Sequence, residues 1–229
     1  MKLRILMLLS LMGLMMNAAM AATVKEEWQL DPHPLKAADF FKKSMRQLTA
    51  LHGFQCKFDQ MMVFSDGGAQ HYSGSLAILK PNRFRWEYKQ PYSQLYLGDG
   101  EVIWHYEPDL MQAERLTNLE SVDPAVMRLL NGTVQTSDVK VIKNEMDQEH
   151  GVHRFQVSIE QSPAIWLGFS KYGDLIYTER QDLMGNRNQM ILSKCDYIAP
   201  AENLFSFAPP DGVEVLDMRS STTPSTTGK

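Results

Sequence analysis

Alternate residues of a strand share one face, so Leu76, Ile78 and Lys80 form an inward-reading row that ends in a cation. Two readings of Lys80 are open. Its ammonium either snorkels to water just before Pro81, or donates hydrogen bonds to the carbonyls of a helix lying over the row and holds that helix down. Phe84, Trp86 and Tyr88 alternate with Arg83, Arg85, Glu87 and Lys89, which makes one face of this segment aromatic and the other charged. With Trp104 and Tyr106 on a following strand, these rings either fill a core or line an apolar pocket, and periodicity is the same for both. His150 and His153 flank Gly151, but no cysteine or third histidine stands at zinc spacing, so they read as a solvated loop. Cys56 and Cys195 either form a bridge between distant strands or leave Cys56 as a small buried thiol.

The strongest local signatures of catalysis are missing: a phosphate-cradling glycine loop, Gly-x-Ser-x-Gly, His-Glu-x-x-His and Cys-x-x-Cys. A triad assembled from distant positions would leave no such trace. The reading is no catalytic residue, no metal and no cofactor.

The elements that must position these residues follow from two periods. Ala38, Phe41, Met45 and Leu48 recur at three and four within Leu35 to Leu51, with Pro34 before and Gly53 after, which predicts an amphipathic helix. From Phe54 the period falls to two: Phe54, Cys56 and Phe58 alternate with polar residues. Strands are expected over 70–79, 83–89, 93–97, 101–106, 134–142, 153–160, 164–169, 175–181 and 189–197, separated by turns such as Asp66-Gly67-Gly68, Asp99-Gly100 and Gly185-Asn186. One helix interrupts them, with Asp123 as cap, Pro124 in the first turn and Gly132 at the end. Its run Val126, Met127, Leu129 and Leu130 is too apolar for a solvated surface. The pattern is mainly β (α+β): a long antiparallel meander curled into a barrel or half-barrel, whose concave face both helices cover.

The chain has 229 residues, 44% hydrophobic and 22% charged, enough for one sizeable core and too apolar for a disordered protein. Lys2 and Arg4 precede the apolar run Ile5 to Met16, and Ala19-Met20-Ala21 supplies a small-residue cleavage pattern, so residues 1–21 read as a secretory signal. Residues 22–215 are then one domain, and the Ser/Thr-rich 216–229 a disordered tail. Cleavage leaves 23 − 2 basic against 27 acidic residues, a net charge of −6, which disfavours nucleic acid as a partner. No cysteine follows the cleavage site to carry a lipid anchor.

Gly74-Ser75-Leu76, Lys80-Pro81-Asn82-Arg83-Phe84-Arg85-Trp86, Gln90-Pro91, Asp99-Gly100, Trp104-His105-Tyr106-Glu107-Pro108, Gln112-Ala113 and the closing Phe205-Ser206-Phe207-Ala208-Pro209-Pro210-Asp211-Gly212-Val213 together resemble the periplasmic outer-membrane lipoprotein carriers of the LolA family. The resemblance implies an incomplete antiparallel β-barrel with helices as a lid over an apolar cavity. It implies a soluble, monomeric, non-enzymatic periplasmic chaperone that takes acylated lipoproteins from an inner-membrane ABC transporter complex to an outer-membrane receptor lipoprotein. On that footing Phe54, Phe58, Leu76, Ile78, Phe84, Trp86, Tyr88, Leu97, Trp104 and Tyr106 are expected in the cavity, and Lys80, Met127, Leu129 and Leu130 in the lid. The family usually carries arginine where this chain has Lys80, which offers fewer donors in a less rigid fork. A carrier of another acylated lipid or glycolipid, a lipid-sensing periplasmic regulator and a lipid-ester hydrolase are the alternatives.

Overall fold

In a computed structural model, the chain is described over residues 34–117, 124–147, 151–159 and 162–219. The signal at 1–21, the segment 22–33, Asp123, His150 and the tail from 220 lie outside the described residues. Helix α1 (Pro34–Ala50) buries Phe41, Met45 and Leu48 of the expected stripe, but Ala38 is exposed and Ala37 packs against the core in its stead. Helix α2 (Pro124–Leu130) buries Val126, Met127, Leu129 and Leu130.

The twelve strands are β1 (Gly53–Val63), β2 (Ala69–Leu79), β3 (Arg83–Gln90), β4 (Gln94–Asp99), β5 (Ile103–Glu107), β6 (Gln112–Leu116), β7 (Val139–Asp147), β8 (Val152–Ile159), β9 (Ile165–Phe169), β10 (Leu175–Gln181), β11 (Arg187–Asp196) and β12 (Glu214–Asp217). They form one sheet in the order β12-β6-β5-β4-β3-β2-β1-β11-β10-β9-β8-β7. All pairings are antiparallel except β12 with β6, and β12 and β7 are the two free edges, so the barrel does not close. The first strand lies mid-sheet between β2 and β11, with one meander running outward on each side of it.

Two expectations about strands change. Residues 134–138 form a turn and a short 3₁₀ segment rather than the start of a strand, and β7 begins at Val139. The segment after 215 is not all tail, since Leu216 and Asp217 continue β12 opposite Glu114 and Arg115. Strands β6 and β12 lie outside the expected set, and β6 reads Gln-Ala-Glu-Arg-Leu, with only Ala113 fully buried.

Most inward side chains of the sheet and the buried stripes of both helices belong to a single apolar cluster. Its seam at β1 and β11 is covalent, because Cys56 and Cys195 form a disulfide. A bulge makes this possible: Gln55 faces Asp196 but Lys57 faces Ser193, and Lys194, at φ 50°, is the extra residue. Strict alternation from Met190 and Leu192 would have put Lys194 inside and Cys195 outside. The added residue resets the parity and brings Cys195 to the side of Cys56.

The far edge of the concave face meets α1 through rings. His153 lies in β8, 8% exposed, not in a solvated loop. It stacks on Phe40 at 5.6 Å and against Phe155 at 4.3 Å, with Nε2 3.4 Å from Asn144 Oδ1 and Nδ1 buried without a partner. Burial holds its imidazole below the usual histidine range.

Two outcomes are expected. Cys56 and Cys195 are 139 residues apart, so reducing the bridge, or replacing both by serine, should lower stability by about 2–5 kcal/mol in guanidinium unfolding. An unchanged midpoint would remove the staple from the account. For His153, the native state favours the neutral ring, so the unfolded chain takes up its proton first as the solution is acidified. The associated stability is whole above about pH 6.5 and declines as pH falls through that value toward the lowered native one. His153→Phe, which keeps a ring in the stack, should flatten the stability profile measured by urea unfolding between about pH 7 and pH 5. An identical slope in the variant would show that another group titrates there.

Candidate functional site

The concave face is built from alternate residues of neighbouring strands. Strand β1 supplies Phe54, Cys56 and Phe58, β2 supplies Leu76 and Ile78, and β3 supplies Phe84, Trp86 and Tyr88. Cross-strand register places Phe54 beside Ile78 and Ile78 beside Phe84, then Cys56 beside Leu76 and Leu76 beside Trp86, so the apolar rows run straight across three strands. Two close approaches require glycine. At Gly98, paired with Phe84, a Cβ would fall 2.4 Å from the Phe84 ring. At Gly74, between Phe58 and Tyr88, it would fall 2.8 Å from Phe58 Cζ, and the two rings meet edge to face over this gap at 5.1 Å.

Helices α1 and α2 fill the hollow with Phe41, Met45 and Leu48 and with Met127, Leu129 and Leu130, and Met45 and Leu129 are both 0% exposed. The space left between the end of α1 and strands β1, β10 and β11 is about 10 Å³, at most a single water. With both helices seated, hydrocarbon can enter this part only by displacing them. Beside Phe84 the rim is looser: a groove of about 460 Å³ runs between Asn82, Gly98, Ile103 and Leu116 and the end of α2 at Asn131.

Polar fastening of the roof centres on Lys80. Its ammonium donates to Leu48 O at 2.9 Å and Thr49 O at 3.2 Å, two carbonyls in the last turn of α1 that have no partner within the helix. A cation suits the negative end of the helix dipole. The same side chain lies against the turn after α2, where a Cβ at Gly132 would sit 3.0 Å from Lys80 Nζ. Burial holds the ammonium below the usual lysine range. One side chain thus touches both roof elements from the end of β2, and the snorkelling reading of Lys80 gives way to the helix-bonded one.

Of the residues expected in the cavity, Phe54, Phe58, Leu76, Ile78, Phe84, Trp86 and Tyr88 share the concave cluster, whereas Leu97, Trp104 and Tyr106 do not. Leu97 and Trp104 are cross-strand partners, as are Leu95 and Tyr106, and through β3 these rows align with Arg85 and Glu87 on the outer face. There they form a second cluster with Ala113, closed by Phe207 and Val213 of the C-terminal segment. Phe207 meets Trp104 at 5.4 Å and Tyr106 at 5.2 Å. The inward positions on β4 and β5 are Tyr96 and His105, stacked at 4.3 Å. The run Leu95-Tyr96-Leu97 carried the signal, since three consecutive apolar residues mark a strand buried on both faces. Gln60 was also missed: it is 6% exposed at an inward position of β1, a polar residue continuing an otherwise apolar row.

Lys80→Met removes two charge-assisted hydrogen bonds, with an expected loss of about 1.5–3 kcal/mol in global stability. Amide exchange in the last turn of α1 should quicken more than exchange in β1 or β2, and Lys80→Arg should restore most of the protection. Exchange at residues 47–51 that ignores the substitution would mean the helix is held by its apolar face alone.

The chain was compared with known proteins. The family model described as outer membrane lipoprotein carrier protein LolA matches residues 49–208. An outer-membrane lipoprotein carrier protein of Chromobacterium violaceum is 32% identical over 161 residues, 67% of this chain and 76% of that one. Another, of Nitrosomonas europaea, is 31% identical over 173 residues, 71% of this chain and 82% of that one. A crystal structure of a LolA superfamily protein from Nitrosomonas europaea superposes with a TM-score of 0.45 at 15% identity, covering 75% of this chain and 97% of that one. On the family match, whose residues 49–208 take in most of the curled sheet, its glycine-relieved aromatic rows and Lys80, and on the two sequence relatives, the chain belongs to the LolA family of outer membrane lipoprotein carrier proteins.

Proposed function

We propose that this protein is a periplasmic carrier that shields the acyl chains of lipoproteins while they cross from the inner to the outer membrane, with no chemical step of its own. The observation that carries the reading is the continuous apolar cluster between the concave sheet and two short helices, fastened at one rim by Lys80. The relatives' printed names, outer-membrane lipoprotein carrier protein, support the cargo class.

The energetics explain the need. Burying a methylene is worth about 0.8 kcal/mol, so one sixteen-carbon chain is held in a bilayer by roughly 12 kcal/mol, and passage through water unaided is negligible. A carrier must replace much of that solvation and still let go. Seating α1 and α2 in the hollow does both: the helices cover the sheet when no chain is bound, and the cost of lifting them is subtracted from the affinity for cargo. An ABC transporter complex in the inner membrane would supply the loading work, and a receptor lipoprotein in the outer membrane would accept the chains. Phe84 has a place in this exchange because it lines both the cluster and the groove at the rim.

The test adds purified mature protein to energised spheroplasts. An outer-membrane lipoprotein should appear in the supernatant bound to it and pass to receptor-bearing vesicles. Phe84→Glu should fold, by its near-ultraviolet circular dichroism, and recover at least tenfold less lipoprotein. A supernatant free of lipoprotein with the unsubstituted protein would overturn the carrier reading, and undiminished recovery with Phe84→Glu would remove that residue from the path of the chains.

A further inference from the structure

The concave face is not uniformly apolar. From the Lys80 rim toward the opposite rim, three strands change character in the same direction, with β2 lying between the first two: Trp86 gives way to Tyr88 on β3, Phe58 to Gln60 on β1, and Met190 to Asn188 on β11. The polar members join across the sheet. Tyr88 Oη donates to Gln60 Oε1 at 3.1 Å, and Gln60 Nε2 donates to Asn188 Oδ1 at 2.9 Å. Beside them the Trp86 indole N–H, in a residue 1% exposed, is buried without a hydrogen-bond partner.

A polar strip in the middle of an apolar wall costs stability unless something uses it. Gln60 Nε2 carries a second N–H, Tyr88 Oη keeps its lone pairs, and Trp86 offers a donor with nothing to receive it. This arrangement presents donors to a group that accepts hydrogen bonds and enters attached to hydrocarbon. We infer that Trp86, Tyr88, Gln60 and Asn188 form a subsite for the ester or amide carbonyls that join acyl chains to their head group. The inference rests on the carrier reading and deepens it. Bound lipid then has a direction: carbonyls at the strip, chain ends toward Phe54 and Phe84, and head group toward the rim of the β1–β2 and β3–β4 hairpins.

The strip is tested with two probes of equal chain length, a dipalmitoylglyceryl-cysteine lipopeptide with ester-linked chains and its dihexadecyl ether counterpart, each competed against a fluorescent fatty acid. The protein should prefer the ester probe by about tenfold, the size that a site built for a hydrogen-bonding group readily reaches. Trp86→Phe and Gln60→Leu should each reduce the preference, read as the ratio of ester to ether affinity within one variant, to twofold or less. A second measurement needs no variant: with ¹³C at the ester carbonyls, the infrared carbonyl band of bound lipid should lie at lower frequency than in dry hydrocarbon. Equal binding of the two probes, with the carbonyl band at its hydrocarbon position, would overturn the subsite and leave the carrier reading standing. Failure to bind either probe would overturn both.

Discussion

A sheet that curls through twelve strands without closing has an inner face it cannot cover with itself, and that constraint governs the rest of this molecule. Phe54, Phe58, Leu76, Ile78, Phe84 and Trp86 would otherwise meet water together. A closed barrel of about eight strands fills its interior with its own side chains. Here the remaining volume goes to Met45, Leu48, Leu129 and Leu130, which arrive on two separate helices. The roof is attached differently from a strand: among the described residues it is held by apolar contact, by the bonds from Lys80 and by Gln47 Nε2 donating to Asp174 Oδ1 at 2.9 Å, rather than by a ladder of backbone hydrogen bonds. On the proposed carrier function, hydrocarbon and roof would compete for this one surface.

Much of this was legible in the residues, and the exceptions have physical causes. Helix α1 and most strands follow from periods of 3.6 and 2, because each such element has one wet and one dry face, whereas α2 was legible from Pro124, Gly132 and an apolar run with no wet face. The alternation Phe84-Trp86-Tyr88 assigned the inner face of β3 correctly. On β5 the same reasoning chose the wrong face: Trp104 and Tyr106 are as aromatic as their counterparts on β3, yet a segment a hundred residues later covers them from outside. Periodicity reports that a face is dry; it does not report which neighbour dries it. Strand β12 was invisible for a related reason, since Glu214–Asp217 is held by a parallel ladder to β6 and buries little. For Lys80 the sequence left two readings open, water or the carbonyls of a covering helix, because main-chain carbonyls are acceptors that every residue has and no side chain marks them.

Register is corrected locally where chemistry requires it. The extra residue at Lys194 is a small departure from regular geometry, and it decides whether Cys195 faces Cys56 or water. Gly74 and Gly98 do comparable work by subtraction, omitting a Cβ so that Phe58, Tyr88 and Phe84 can lie flat across a neighbouring strand. The inner surface is thus composed by strand pairing, by one inserted residue and by two missing side chains, and its aromatic rows depend on all three.

The placement of the first strand at the middle of the sheet bears on how the molecule is made. Strand β1 leaves the synthesis machinery early, but its neighbour β11 comes almost last, with the cysteine that locks the seam. Until about residue 196 has emerged, β1 lacks its second neighbour, so the pairing that joins the two halves of the sheet is one of long sequence separation and the covalent link across it can form only after both halves have been made.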